Sequence, residues 1–498
     1  MADTPPPLYA PREPIFPRRV TGFFRSLKWW IMGVTLGVYY LLPWLRWDRG
    51  PNLPDQAVLA DLASRRFFFF WIEIWPHEFY FVAGLLIMAG LGLFLFTSAL
   101  GRVWCGYTCP QTVWTDLFIL VERWIEGDRN ARLRLHRSKW NIHKWRLNIT
   151  KWIVWLLISI ATGGAWVFYF TDAPALARNL VTLDAPAVAY ISIAILTATT
   201  FIFGGFMREQ VCIYMCPWPR IQAAMMDEGT LTVGYRDWRG EPRGKHRKGA
   251  RAAAASQTAT AYAEESVPDI APQGDCIDCM ACVNVCPMGI DIRDGQQMEC
   301  ITCALCIDAC DDVMDKIGKP RGLIDYLALE DVPPPDLSPA AKEAWQPRAL
   351  WQHVLKPRTI LYTVLWSAVG LGLLFALFIR SDIELTVSPV RNPTFVMQSD
   401  GSIRNIYDVR LRNKSGEDRV FTLSVTSDAA FDMGLQGEDG QQVVVPADAT
   451  FLQRVYVTAA RNAPAALEDR TDLRIWVEDT DADIRASVAT IFNGKGVQ

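Results

Sequence analysis

The chain has 498 residues, and 50 lysines and arginines stand against 53 aspartates and glutamates. The formal charge of −3 gives no support to nucleic-acid binding or an acidic tail. Half the residues are hydrophobic and twenty are tryptophan, a composition of membrane segments with aromatic belts. All twelve cysteines lie between Cys105 and Cys310, which excludes a disulfide-stapled secreted domain.

The chain opens on "MADTPPPLYAPREPIFPRRV", proline-rich and without an apolar core. It reads as a flexible cytoplasmic arm over 1–28 and not as a signal peptide. Five uncharged windows follow: 29–45, 79–101, 152–171, 185–207 and 359–379. At a rise of about 1.5 Å per residue they reach roughly 25 to 35 Å, close to a hydrocarbon core of about 30 Å. Four spans are placed in a transmembrane domain over 29–238, and the fifth over 358–380. The run "FFFFWI" (67–72) is too short to cross and reads as an interfacial or re-entrant piece.

Loop charge gives the orientation. Between the second and third windows stand Arg102, Arg123, Arg129, Arg132, Arg134, Arg137, Lys139, Lys144 and Arg146, whereas Arg178 is the one basic residue between the third and fourth. The first of these loops is therefore expected in the cytoplasm, together with the arm and residues 208–358. The C-terminus is expected outside.

"CGYTCP" (105–110) and "CIYMCP" (212–217) end the second and fourth windows on the cytoplasmic side. The two hairpins form a parallel repeat, and a pseudo-two-fold axis would bring Cys105, Cys109, Cys212 and Cys216 together. Residues i and i+4 share a helix face, so each pair could clasp one ion. A free cysteine is often only a small buried hydrophobe, but the duplicated spacing with proline argues against packing alone. Soft thiolates select Cu(I), zinc or iron–sulfur species. Met207, Met215, Met225 and Met226 lie near the second pair and could add thioethers, although helix packing accounts for them more simply.

"CIDCMACVNVCPMGI" and "CITCALCIDACDD" carry the C-x2-C-x2-C-x3-C run of bacterial two-cluster ferredoxins. In such ferredoxins the fourth ligand crosses to the other cube. Cys276, Cys279, Cys282 and Cys310 are therefore assigned to one [4Fe–4S] cluster, and Cys286, Cys300, Cys303 and Cys306 to the other. Asp311 stands where the second run would carry proline. Zinc would need only four ligands, and a reducing cytoplasm disfavours disulfides. The ferredoxin, of α+β class, is placed at 273–330 between linkers at 239–272 and 331–357. From 388 to 498, short alternating stretches separated by turn residues read as an immunoglobulin-like β-sandwich. It lies outside the membrane and contains no cysteine or histidine.

Taken together, the five windows, the twin "CxxxCP" motifs, the two-cluster insert and the C-terminal sandwich resemble the cytochrome c oxidase accessory protein family (CcoG, FixG or RdxA). The membrane part is similar to NapH-type polyferredoxins. The resemblance implies a multi-pass protein of the bacterial inner membrane that reduces Cu(II) to Cu(I) for assembly of a cbb3-type oxidase. Copper ions would be the substrate, held at Cys105, Cys109, Cys212 and Cys216. Copper chaperones or transporters, oxidase assembly factors, an unidentified electron donor and a second copy of the chain are the expected partners, with no nucleic acid. Two other readings stand beside this one. A quinol-linked electron conduit would use His143 and His77 as quinone contacts, and a redox-sensing scaffold would recruit partners through its outer domain.

Overall fold

The computed structural model describes residues 14–50, 53–244, 273–334 and, except for positions 335, 339–340, 343–344, 346–347, 381–382, 415–416, 438–439, 448 and 481–483, the chain to residue 496. Most of the predicted arm ahead of residue 14, and 245–272 of the first predicted linker, lie outside the described residues. The chain divides into two compact units.

The first unit is built on helices. In chain order they are α1 (Phe23–Leu41), α2 (Tyr80–Leu100), α3 (Val103–Tyr107), α4 (Pro110–Glu126), α5 (Arg129–Arg137), α6 (Ile142–Val167), α7 (Ala173–Thr182), α8 (Ala187–Thr200) and α9 (Trp218–Met225). Two π-helical turns, Phe201–Met207 and Val211–Met215, join α8 to α9. Four described segments are long and apolar enough to cross a membrane: Pro76–Leu100, Ile142–Val167, Ala187–Met207 and Pro357–Phe378. They mark the chain as a membrane protein.

The window predicted at 29–45 is not among them, but its helix runs from the start of α4, where Arg25 binds Asp116 at 2.9 Å, to the far end of α6, where the Tyr39 hydroxyl donates to the Thr162 carbonyl at 2.7 Å. Its helix begins at Phe23, and the first turns carry Arg25 and Lys28, both buried against protein. From Phe23 to Leu41 its 19 residues reach about 28 Å at ~1.5 Å per residue, close to the ~30 Å core. A 3-10 turn, Leu42–Trp44, then ends the helix. The "FFFFWI" run, read as an interfacial or re-entrant piece, is extended and not helical. After β1 (Val58–Asp61), its residues fall in two short strands, β2 (Arg66–Phe69) and β3 (Ile72–Ile74). Phenylalanine and isoleucine at that density fit a pleated surface better than an isolated helical turn.

Helices α6 and α8 pack along their length, and Gly163 permits it: a Cβ there would lie 2.9 Å from the Ile193 carbonyl oxygen. Helix α4 adds a stacked Phe118–Trp155 pair, with ring centroids 5.3 Å apart. Glu122 on α4 ion-pairs with Arg132 and Arg208, so a buried carboxylate joins the two hairpins.

The ferredoxin part pairs β4 (Thr232–Tyr235) antiparallel with β5 (Ile324–Leu327) around helices α11 (Ala281–Val285) and α12 (Leu305–Ile317). Helix α10 (Asp237–Gly240) precedes them. This shifts the boundary predicted at 273. β4 belongs to the ferredoxin, and Arg239, expected in a linker, donates to Asp275 at 2.7 Å. A four-residue strand whose partner lies some ninety positions away gives no periodic signal of its own. The second predicted linker, 331–357, is also held where it is described. His353 Nε2 lies 2.6 Å from Asp331, and Lys356 lies 3.4 Å from Asp227. Helix α13 (Leu350–Val354) leads from it into α14 (Pro357–Phe378).

The second unit contains the C-terminal sandwich. One sheet runs β10–β12–β8–β6 with β7 paired to β8, and the other runs β11–β9–β13–β14. The strands are β6 (Ile383–Pro389), β7 (Val396–Met397), β8 (Ile403–Asn413), β9 (Arg419–Thr426), β10 (Asp432–Leu435), β11 (Gln442–Val445), β12 (Thr450–Ala459), β13 (Arg470–Asp479) and β14 (Ile484–Asn493). Alternate residues of β8 are buried, and with those of β12 and β13 they fill the core between the sheets. The Tyr407 hydroxyl crosses that core to donate to the Ile491 carbonyl at 2.8 Å.

Candidate metal centre

Both cysteine runs of the ferredoxin fold into the same loop. Positions two and four after the leading cysteine are left-handed in each copy: Asp278 and Met280 at φ 53° and 57°, Thr302 and Ala304 at 52° and 58°. Such turns aim backbone N–H groups at anions. The Thr302 N–H donates to Cys300, the Val283 N–H to Cys282, and the Ile290 and Met288 N–H groups to Cys286. The thiols gather in two foursomes. Cys310 has Cys282, Cys279 and Cys276 as charge neighbours, while Cys286 and Cys306 have Cys303 and Cys300.

Burial pushes Cys310 and Cys286 up to about 12, and Cys282 and Cys300 up to about 11. Thiols raised that far stay protonated at neutral pH unless a cation takes the thiolate. Among the described residues, no three of His, Cys, Asp and Glu stand close enough to share a single metal ion. A cube spreads its four cysteine sulfurs more widely than one metal ion does, and Cys286, Cys300, Cys303 and Cys306 line one apolar pocket together.

Asp311 has a structural reason. Helix α12 continues through it to Ile317, whereas α11 stops at Val285, just before Cys286 and Pro287. Proline at 311 would break α12. The Asp311 carboxylate instead accepts the Gly322 N–H at 3.0 Å and fixes the return toward β5.

The membrane-end pairs do not lie on a helix face, contrary to the i, i+4 expectation. Cys105 sits in α3, but Cys109 is extended (φ −58°, ψ 127°) and caps α4, which begins at Pro110. The second hairpin repeats this, with Cys212 in a π turn and Cys216 extended (φ −79°, ψ 124°) before Pro217. Proline forces the residue before it out of the helical region, so each pair is split across a break.

The two hairpins nevertheless make the four thiols electrostatic neighbours, although as placed no three of them are close enough to share one ion. Cys212 has Cys109, Cys105 and Cys216 as charge neighbours, and burial together with these neighbours pushes it up to about 12. Burial pushes Cys105 up to about 11, against the opposing pull of Arg102. The Cys105 thiol donates to Gln222 Oε1 on α9 at 3.0 Å, so as placed it is turned toward the other hairpin. Closing the four sulfurs on one ion requires that bond to break.

Several residues of this site carry no signal in the sequence. Gly106 is one: a Cβ there would lie 2.6 Å from the Ile301 carbonyl oxygen and 3.1 Å from Cys303 Cα. The Tyr107 hydroxyl donates to the Cys303 carbonyl at 3.1 Å. Arg102, buried, donates to the Met298 carbonyl and lies beside both Cys105 and Cys300. The thiol turn therefore rests directly on the Cys303 loop. A second clamp is Asp308 of α12, which accepts the N–H groups of Phe24 and Arg25 at 3.2 and 2.7 Å and so caps α1 from outside the helix. Of the two histidines considered as quinone contacts, His77 Nε2 lies 3.7 Å from Glu78, and His143 is exposed at the start of α6.

A two-run ferredoxin docked on membrane helices defines an iron–sulfur protein of one-electron transfer. The comparisons agree. Residues 207–328 match a family described as a 4Fe-4S dicluster domain, 81–131 a 4Fe-4S binding domain, and 373–495 the IG-like fold at the C-terminus of FixG. Protein RdxB of Cereibacter sphaeroides is 68% identical over 98% of both chains. Protein RdxA of the same organism is 61% identical over 97% of both. The nitrogen fixation protein FixG of Rhizobium meliloti is 55% identical over 98% of this chain and 94% of its own. The chain belongs to the FixG/RdxA family.

Proposed function

We propose that the chain is a cupric reductase of the bacterial inner membrane, with the ferredoxin in the cytoplasm and the sandwich in the periplasm. The two [4Fe–4S] clusters, held by Cys276, Cys279, Cys282 and Cys310 and by Cys286, Cys300, Cys303 and Cys306, supply single electrons when bound. The substrate is Cu(II), taken up by Cys105, Cys109, Cys212 and Cys216. It gains one electron from the reduced protein and leaves as Cu(I), the state thiolates favour. One observation supports this reading: four soft donors from two hairpins are charge neighbours of one another, and Cys105 and Cys212 pack against the Cys303 loop. Gly106 and Tyr107 hold that loop in contact with the thiol turn, and Gln222 keeps Cys105 hydrogen-bonded until the ion replaces it. The receiver of Cu(I) is proposed to be a chaperone or transporter serving cbb3-type oxidase assembly, as the family resemblance implies.

The test uses the full-length protein, purified without oxygen and chemically reduced. Cu(II) is added and Cu(I) is followed with a chromogenic chelator. The wild type should form Cu(I) in proportion to its stored electrons. The variant with alanine at 105, 109, 212 and 216 should lose more than about tenfold of the rate, a loss equivalent to roughly 1.4 kcal/mol or more in barrier, while keeping its cluster absorbance. Equal rates in the two proteins would refute the assignment of the thiols.

A further inference from the structure

Where α1 meets α4 lies a groove of about 700 Å³, and its walls include Arg19, Arg25, Trp29, Leu120, Arg123 and Trp124. Its charges are only partly balanced by protein, with Asp116 and Asp128 acting on Arg123. The Arg25 side chain is only 6% exposed, and its Nη1 binds Asp116 at 2.9 Å while the guanidinium stacks 4.1 Å from the Trp29 ring. Its Nη2 is buried without a hydrogen-bond partner. Arg123, on the facing helix, gives its Nη2 to the carbonyls of Pro17 and Arg18, and its buried Nε also has no partner. Burial, and next the charge of Arg25, push Arg123 below the usual guanidinium range, so these two cations repel each other across the groove. From the groove an apolar stripe runs up α1 through exposed Phe23, Leu27, Trp30, Val34 and Val38, with exposed Trp124 on α4 beside it.

Two unpartnered donors on separate helices, a third arginine at the rim and an exposed apolar stripe share one kind of complement. It is an anion carrying hydrocarbon tails. We propose that the groove binds the phosphate of an anionic phospholipid. On binding, the Arg25 and Arg123 side chains turn Nη2 and Nε, buried as placed, toward the phosphate oxygens, Arg19 adds charge, and the acyl chains lie along the α1 stripe. A lipid bound there abuts the helix start that Asp308 caps, and so bears on the seat of the ferredoxin.

The experiment is native mass spectrometry of the detergent-purified full-length protein, titrated with phosphatidylglycerol, with phosphatidylcholine, and with inorganic phosphate as a competitor. The wild type should retain phosphatidylglycerol at least about tenfold better than phosphatidylcholine, the span of one charge-assisted hydrogen bond. Arg19→Gln/Arg123→Gln should erase that preference. Because Arg123 also holds the 17–18 backbone, Ser26→Glu provides a second route: it places a carboxylate at an exposed position of the same groove and should give the same loss. Arg146→Gln, an exposed charge elsewhere, should change nothing. Unchanged preference in both groove variants would overturn the proposal. So would equal retention of the two lipids, or displacement of phosphatidylglycerol by millimolar phosphate, which would indicate an adventitious ion only.

Discussion

Replacing Gly106 by alanine isolates the contact through which the proposed electron delivery would run. The backbone at 106 is helical with ordinary φ, so intrinsic propensity favours alanine by up to about 1 kcal/mol. The surroundings oppose it. The new methyl would sit 2.6 Å from the Ile301 oxygen, about 0.8 Å inside ordinary contact, and 3.1 to 3.2 Å from Cys303 Cα and N. All three neighbours are backbone, so none can swing aside as a side-chain tip would. Overpacking of this kind costs about 1–3 kcal/mol. The net of about 1–2 kcal/mol falls on the seat between α3 and the Cys303 loop, and it should open that seat roughly five- to thirtyfold more often. Hydrogen exchange of the amides at 300–306 should accelerate by that factor, and oxidation of the reduced protein by Cu(II) should slow. Gly164→Ala, where a Cβ meets nothing within 4 Å, is the matched control and should do neither. If 300–306 exchanges at the wild-type rate in Gly106→Ala, the contact does not hold the two parts together.

Three further outcomes follow from the same geometry. Asp308→Ala removes the acceptor of two N–H groups at the start of α1 and should cost about 1–3 kcal/mol, read as faster exchange at 23–27, with Asp308→Asn milder because it keeps one acceptor. Asp311→Pro, which restores the proline of the first run, should cost about 3 kcal/mol or more by breaking α12, and half the cluster absorbance should go with Cys310; a fully loaded variant would refute this. Asp116 is raised by burial, but Lys28 and Arg25 more than offset this and hold it below the usual carboxylate range. Its contribution is therefore complete above the unfolded value near 3.9 and is lost as pH falls through the lower folded value. The gap in melting temperature between wild type and Asp116→Asn should be constant from pH 6 to 8 and begin to narrow below about pH 4, and a gap that narrows already between pH 7 and 5, or one that widens toward pH 3, would contradict the pairing.

The parts of the site that could be read from the sequence are those written locally. Eight cysteines in two adjacent runs specify their own loops, and the crossed foursomes follow because α11 and α12 are short and adjacent. The sandwich was legible because strands such as β8 alternate over many residues. What escaped depends on partners far along the chain. The window at 29–45 marks helix α1 by its apolar residues alone, whereas the helix starts six residues earlier and carries Arg25 and Lys28 into a buried pairing with Asp116. Gly106, Gln222 and Asp308 matter only through Cys303, Cys105 and α1, contacts that no spacing announces.

The prolines of the two "CxxxCP" motifs are the instructive case, because their effect was local and still changes the chemistry. A proline at position i+5 makes the second cysteine extended, as Cys109 and Cys216 both are. A continuous helix would have let each hairpin clasp an ion by itself. The break instead turns each second thiol away from the helix face of the first, and sulfurs of both hairpins are then needed to surround a common centre. The proposed copper site therefore requires the duplication. A single hairpin, supplying Cys105 and Cys109 alone, has neither the Gln222 partner nor the Cys212 and Cys216 sulfurs that complete the set.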